Sequence, residues 1–212
     1  MNELKITRID ITKQERYALF VKPFDKEEFL FSIDENTLIK YNIKVGSLLS
    51  GEELMVIKQK SDGEKAKNKA MQYLSIRDHS IKELRTKLFK KFDADSVNYA
   101  ISEMERLNYV NDENFAKHRV EYLIKKGKSK GDIISKLYEL GIDRYIIDDL
   151  SENIFIDEEA LIKKLVEKSY VTKLQQGKKQ NVIAAFMRKG FSLENIKNVL
   201  KDYEEEWEYN DY

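Results

Sequence analysis

The sequence predicts a mainly α protein: three tandem three-helix repeats in an elongated curved array, preceded by a small strand-containing N-terminal extension. Three observations predict it. One phrase recurs in decaying copies, SIKELRTKLFKKF from Ser80, SKGDIISKLYELG from Ser129 and KKQNVIAAFMRKG from Lys178, at a constant step of 49 residues. A single proline, Pro23, and eight glycines punctuate 212 residues, so long helices are rarely interrupted. The first 50 residues or so read differently, as short alternating runs rich in aromatic and β-branched side chains.

Within that extension, RYALFVK (16–22) and EFLFSI (28–33) alternate as strands, and KITRIDIT (5–12) reads as a third. Residues 22–27 form a hairpin loop in which Pro23 pre-sets φ. DENTLIKYN (34–42) reads as a short helix capped by Asp34. Ser50 with Glu53 has capping-box spacing and opens a further helix through Leu54 and Ile57. Ser61-Asp62-Gly63 reads as the linker that ends the extension, which gives it the span 1–62.

From about residue 64 the 3.6-residue period dominates. Leu84, Ile133 and Val182 correspond at the 49-residue step, as do Leu88, Leu137 and Phe186 four residues later, on one helix face. Ser80 with Glu83 and Ser129 with Asp132 have N-cap spacing. Gly141 and Gly190 fall where a left-handed C′ residue ends a helix. A helix precedes each phrase, carrying Tyr73 and Leu74, then Tyr122 and Leu123. A shorter one follows, with Val97 and Ile101, Ile146 and Leu150, and Ile196 and Leu200. Asp112 and Asp157 are read as caps of the first helices of copies two and three. The repeats span 63–111, 112–156 and 157–203, and an acidic tail covers 204–212. A unit of about 45 residues is expected to have little core of its own, so that stacking makes the core continuous.

Composition narrows the chemistry. The absence of cysteine excludes disulfides and thiolate metal sites and suits a reducing cytosol, so a cytoplasmic protein is expected. No apolar run approaches the roughly 20 residues that cross a bilayer, and MNELKITRID has no apolar signal region, so neither a membrane nor a secretory role is expected. Gly127-Lys128-Ser129 resembles the end of a phosphate-binding loop, but Tyr122 stands where that motif needs its first glycine, so a polar turn is the better reading. His79 and His118 are the only histidines and have no metal-motif neighbours; solvent-facing or capping roles fit both. Tyr73, Tyr122 and Tyr138 sit at helical spacing and read as core. No catalytic, metal or cofactor residue is assigned, and no enzyme activity is expected.

The zero net charge hides an uneven distribution. Residues 163–189 hold eight Lys/Arg against one acid, Glu167, and residues 117–130 hold six against Glu121. Asp202, Glu204, Glu205, Glu206, Glu208 and Asp211 make the C-terminal end acidic. Arg85, Lys87, Lys90 and Lys91 are expected on the middle helix of copy one. Lys125, Lys126, Lys128 and Lys130 surround the turn before that helix in copy two, and Lys173, Lys178 and Lys179 do so in copy three, with Arg188 further on. These twelve are the candidate partner-binding residues, expected along one edge that would face a polyanion or an acidic protein groove.

The run YLSIRDHSIKELRTKL (73–88), with Arg77-x-x-Ser80-x-x-Glu83-Leu84, then Asp112-x-x-Phe115-Ala116, then Lys130-Gly131 leading to Leu-Gly-Ile at 140–142, resembles the RecX family of bacterial regulatory proteins. FSIDENTLIKYNIKVGSLLSGEEL (31–54) is similar to the N-terminal extension of longer Gram-positive members. The likeness is strongest from about 70 to 142, and Asp132 departs from an expected proline. The resemblance implies a regulator, monomeric, that binds the RecA recombinase, settles in the groove of its filament on DNA and inhibits its recombinase and ATPase activities. Direct contact with DNA phosphates is a further implied option. The alternative reading is a stand-alone nucleic-acid-binding helical repeat protein.

Overall fold

The computed structural model describes residues 3–210, with side chains described through Tyr203. Its backbone divides into two compact units, Met1–Asn111 and Asp112–Tyr212.

The first unit opens with β1 (Leu4–Ile11), β2 (Tyr17–Val21) and β3 (Glu28–Ile33), then α1 (Glu35–Lys40), the two-residue β4 (Leu48–Leu49) and the 24-residue α2 (Gly51–Leu74). The strands form an antiparallel sheet in the order β3-β2-β1-β4. Alternation sends Ile6, Leu19, Val21 and Ile33 to one face, where they close over Ile43 and Ile57. α1 starts where expected, with Asp34 Oδ1 accepting from the Thr37 backbone N–H at 2.9 Å. α2 starts with the complete Ser50–Glu53 capping box.

The linker expected at residues 61–63 is not a linker: α2 runs through it unbroken, so the expected boundary at 62/63 falls inside one helix. Local chemistry is overridden there by long-range partners. Ser61 is buried; its hydroxyl accepts from Arg16 Nη2 at 2.8 Å and donates to Asp34 Oδ2 at 3.1 Å. Gly63 lies flat against the Tyr99 ring, where a Cβ would clash. The same helix therefore anchors the sheet with one half and contributes the first helix of repeat 1 with the other.

Repeat 1 is completed by α3 (Ile81–Leu88) and α4 (Ala94–Arg106). Repeat 2, in the second unit, is α5 (Asp112–Lys125), α6 (Lys130–Glu139) and α7 (Arg144–Glu152). Repeat 3 is α8 (Glu158–Ser169), the short α9 (Val171–Gln175), α10 (Lys179–Arg188) and α11 (Leu193–Asn210). Gly141 and Gly190 end α6 and α10 with φ of 79° and 80°, as their positions predict. Asp157 caps α8 through the Ala160 N–H, whereas Asp112 is itself the first residue of α5. The side chains of 204–212, the expected acidic tail, lie outside the described residues; the α11 backbone continues into that segment to Asn210.

Contrary to the expectation of one continuous core, each repeat closes its own. Ala66, Ala70, Leu84, Leu88 and Met104 form one cluster, Phe115, Ile133, Leu137 and Ile147 a second, and Ile162, Val182, Phe186 and Ile196 a third. Three helices suffice because each supplies buried apolar side chains at i and i+4, such as Leu84 and Leu88, Ile133 and Leu137, or Val182 and Phe186. Repeats 2 and 3 meet instead through backbone and polar groups. Ser129 Oγ donates to the Lys189 carbonyl at 2.6 Å, and Glu158 accepts from the Lys130 backbone N–H at 3.0 Å. Gly131 lies so close to Gly190 that a Cβ on either would overlap the other strand of backbone.

Candidate partner-binding surface

The middle helix of each repeat is positioned by the turn before it, and those turns differ. In repeat 1 the turn is closed internally. Arg77 donates two bonds to the Glu83 carboxylate, at 3.0 and 2.9 Å, and Ser80 Oγ accepts from the Glu83 N–H at 3.1 Å. The Arg77 guanidinium holds Glu83 below the usual carboxylate range, against the opposing effect of burial. His79 is only 2 % exposed, not solvent-facing. Its Nδ1 faces the Arg77 carbonyl at 2.8 Å and its Nε2 faces Lys87 Nζ at 2.6 Å. Those partners fix a neutral ring, with Nδ1–H donating to the carbonyl and Nε2 accepting from the ammonium, and burial lowers the His79 pKa accordingly.

The first group of candidate cations is thus divided. Lys87 is held between His79 and the Tyr73 ring, 5.1 Å from its centroid. Arg85 donates to Asn98 Oδ1 on α4. Lys90 and Lys91 are exposed but lie beyond the end of α3, in the turn that follows, rather than on the helix. None of the four is in the turn that precedes the helix.

In repeat 2 the same turn points its charge outward. Gly127 turns left-handed with φ of 68°, so Gly127-Lys128-Ser129 is a helix–turn–helix connection, as read from the sequence. Lys125 ends α5 and Lys126 follows it; both are exposed. Lys126 Nζ lies 5.5 Å from the Tyr122 centroid, and Arg119 covers the same ring at 5.3 Å. Tyr122 and Tyr138 are each about half exposed, 49 % and 47 %, which corrects their reading as core. Lys128 pairs with Asp132 at 2.7 Å, and Lys130 is the half-buried first residue of α6.

The candidates of repeat 3 do not continue that line. Because Ser129 bonds to Lys189 at the C-terminal end of α10, the repeat 2 turn adjoins the end of α10 that carries Arg188 and Lys189. Lys178 and Lys179 are at its other end, about 15 Å away for a ten-residue helix. Lys173 belongs to α9 and lies 5.4 Å from the Tyr170 centroid, and Lys178 donates to Gln176. The structure therefore sets the turn that carries Lys125, Lys126, Lys128 and Lys130 against the end of α10 that carries Arg188 and Lys189. Lys189 belongs to the 163–189 charge run and carries no local signal that sets it apart; only the long-range Ser129 bond puts it there. Beside this cluster a groove of about 800 Å³ runs between repeats 2 and 3, with Lys130 and Glu158 on its walls and Phe155 at its side, 85 % exposed.

Residues 66–104 match the family described as RecX, first three-helix domain. The regulatory protein RecX of Caldanaerobacter subterraneus subsp. tengcongensis is 30% identical over 199 residues, covering 92% of this chain and 98% of that one. The chain belongs to the RecX family. The RecX of Staphylococcus aureus is 31% identical over 207 residues, covering 93% of this chain and 74% of that protein. A crystal structure of a regulatory protein RecX superposes with a TM-score of 0.68 over 93% of this chain and 99% of that one, at 23% identity. RecX from Lactobacillus salivarius gives 0.56 over 66% of this chain and 96% of that one, at 25% identity. The RecX motif Arg77-x-x-Ser80-x-x-Glu83-Leu84 can now be given its physical content: two side chains closing a cap on each other, and a leucine with no exposed surface in the core of repeat 1. Among the described residues, no helix is long and apolar enough to cross a membrane.

Proposed function

We propose that this chain is a cytoplasmic, non-enzymatic regulator that binds RecA recombinase filaments along their groove and inhibits recombinase and ATPase activity. The observation that supports the reading is the division of labour between turns. The repeat 1 turn directs its polar groups into its own cap, while the repeat 2 turn directs Lys125 and Lys126 into solvent beside Arg188 and Lys189. A cationic cluster at the end of a rigid helical module is suited to an acidic protein surface or to phosphates lying in a groove. Lys125 and Lys126 carry the contact in this reading, because Lys128 is already neutralised by Asp132.

Co-sedimentation with RecA filaments, formed on single-stranded DNA with a non-hydrolysable ATP analogue, tests it. The chain should pellet with filaments and stay in solution when recombinase is omitted. Binding to the DNA alone, with a log–log salt slope near about −0.9 per neutralised phosphate on duplex, would replace this reading with the stand-alone nucleic-acid binder.

A further inference from the structure

We propose that α2 and the start of α4 form a second docking site, for a cationic amphipathic helix of a partner protein. The inference stands on geometry in the first unit alone and does not depend on the recombinase reading.

The two helices run parallel. Gln59 Nε2 donates to Asp95 Oδ2 at 3.0 Å, and Tyr99, one turn further along α4, donates to Glu64, one turn further along α2. Over that stretch Gly63, Ala66 and Ala70 of α2 are buried. These are small residues, so α4 approaches closely. The same stripe continues towards the N-terminus of α2, through Gln59 to Val56, Met55 and Glu52, by helical spacing. α4 does not follow it, because Asp93 caps that helix beside Gln59 and Asp95. Two turns of α2 are left uncovered on this side, about 12 Å of helix. The opposite side of the same turns is closed by Leu54 and Ile57, with Ile57 in the core beneath the sheet.

What remains is a groove of about 500 Å³ with an apolar floor and an acidic rim. Met55 and Val56 are 74 % and 52 % exposed, side by side. Methionine adapts its shape to varied partners, which suits a docking floor. Around them stand Glu52, Asp62, Asp93 and Asp95, against the single cation Lys58. Asp93 is held below the usual carboxylate range by the Ser96 backbone N–H. A helix laid in line with α4 would extend a packing interface that already exists, with apolar residues at i and i+3 or i+4 on Met55 and Val56. Lysines or arginines flanking that stripe would meet the carboxylates. An acidic or uncharged helix would leave the carboxylates to be desolvated without partners.

The probe is a labelled 14-residue peptide, leucine on one helical face and lysine on the other, with a counterpart carrying glutamate for lysine. Anisotropy is read against the full chain. The lysine peptide should bind and the glutamate peptide should not. The double variants Glu52→Lys/Asp62→Lys and Met55→Ser/Val56→Ser, all at surface positions, should each weaken binding by about tenfold or more with the circular dichroism unchanged. Hydrogen exchange should show protection in residues 51–62. Unchanged affinity in either variant, equal binding of the two peptides, or protection confined to the acidic segment 202–211 would overturn the proposal.

Discussion

The turn before the middle helix of repeat 1 and its counterpart in repeat 2 descend from one phrase, yet they use charge in opposite ways. In repeat 1, Arg77 closes on Glu83, and Lys87 closes on His79 and Tyr73. In repeat 2, Ser129 keeps the cap on Asp132 but turns its own proton to the Lys189 carbonyl, and Lys125 and Lys126 before it face water. In repeat 3 the cap is gone, since Lys178 makes no side-chain capping bond. The lesson is that a count of cations per repeat says little about recognition. What matters is whether a local acceptor has already taken each one, and in the turn before the middle helix it is repeat 2 that leaves Lys125 and Lys126 outward.

The sharpest way to break the comparison is at one alignment position. Gly131 of repeat 2 corresponds to Lys82 of repeat 1 at the 49-residue step. Gly131 is pressed against the Gly190 backbone, which cannot move aside as a flexible side chain would, whereas Lys82 is exposed. Gly131→Ala should cost about 1–3 kcal/mol in urea denaturation, and Lys82→Ala should stay within about 0.5 kcal/mol. Equal effects at the two positions would mean that repeats 2 and 3 are not locked by this contact.

Charge reversal should then separate the two turns by what is lost. Lys125→Glu/Lys126→Glu should reduce filament co-sedimentation by about tenfold, equivalent to about 1.4 kcal/mol, with the melting curve unmoved. Arg77→Glu should do the reverse, lowering stability by setting two carboxylates against each other while sparing filament binding. A loss of binding from Arg77→Glu without a loss of stability would make the repeat 1 turn a contact surface after all.

Much of the framework was legible because it is written locally. The pairs Ser50/Glu53 and Ser80/Glu83, the Asp34 and Asp157 caps and the left-handed glycines 141 and 190 each follow from residues within one helical turn. The errors share a cause, which is dependence on distant residues. Ser61-Asp62-Gly63 has the composition of a loop, and only Arg16, Asp34 and Tyr99, all far away in sequence, make it helix. The cation edge failed in the same way. Periodicity put the repeat 2 and repeat 3 turns in register, but the Ser129–Lys189 bond shows repeat 2 abutting the far end of α10. Burial of His79 also needed Lys87 and Tyr73 from neighbouring elements.

Removal of the caps should grade the decay of the phrase. Ser80→Ala should cost about 1 kcal/mol, the usual value of an N-cap hydroxyl, whereas Lys178→Ala should cost almost nothing because no capping bond exists to lose. A thermal denaturation series on the two single variants reads the difference directly.

The smallest effect is the most diagnostic of how the repeat 1 turn is built, since that turn buries a histidine, His79, where repeat 2 carries Lys128, and ties Glu83 to Arg77. His79 has a folded pKa lowered by burial, with the hydrogen bond to the Arg77 carbonyl opposing the shift and the Lys87 ammonium adding to it. The unfolded chain therefore binds the proton more readily, and stability is complete above about pH 6.5 and falls as the solution is acidified below it. Glu83 has a folded pKa lowered by Arg77. Its contribution is present above about pH 4.3 and fades as pH falls through the depressed folded value. Two acid limbs should thus appear in a plot of urea midpoint against pH. His79→Gln should erase the upper limb alone, and Glu83→Gln the lower limb alone at some cost in stability at neutral pH. If the upper limb survives His79→Gln, the buried Lys87–His79–Arg77 chain is not what couples this turn to the proton.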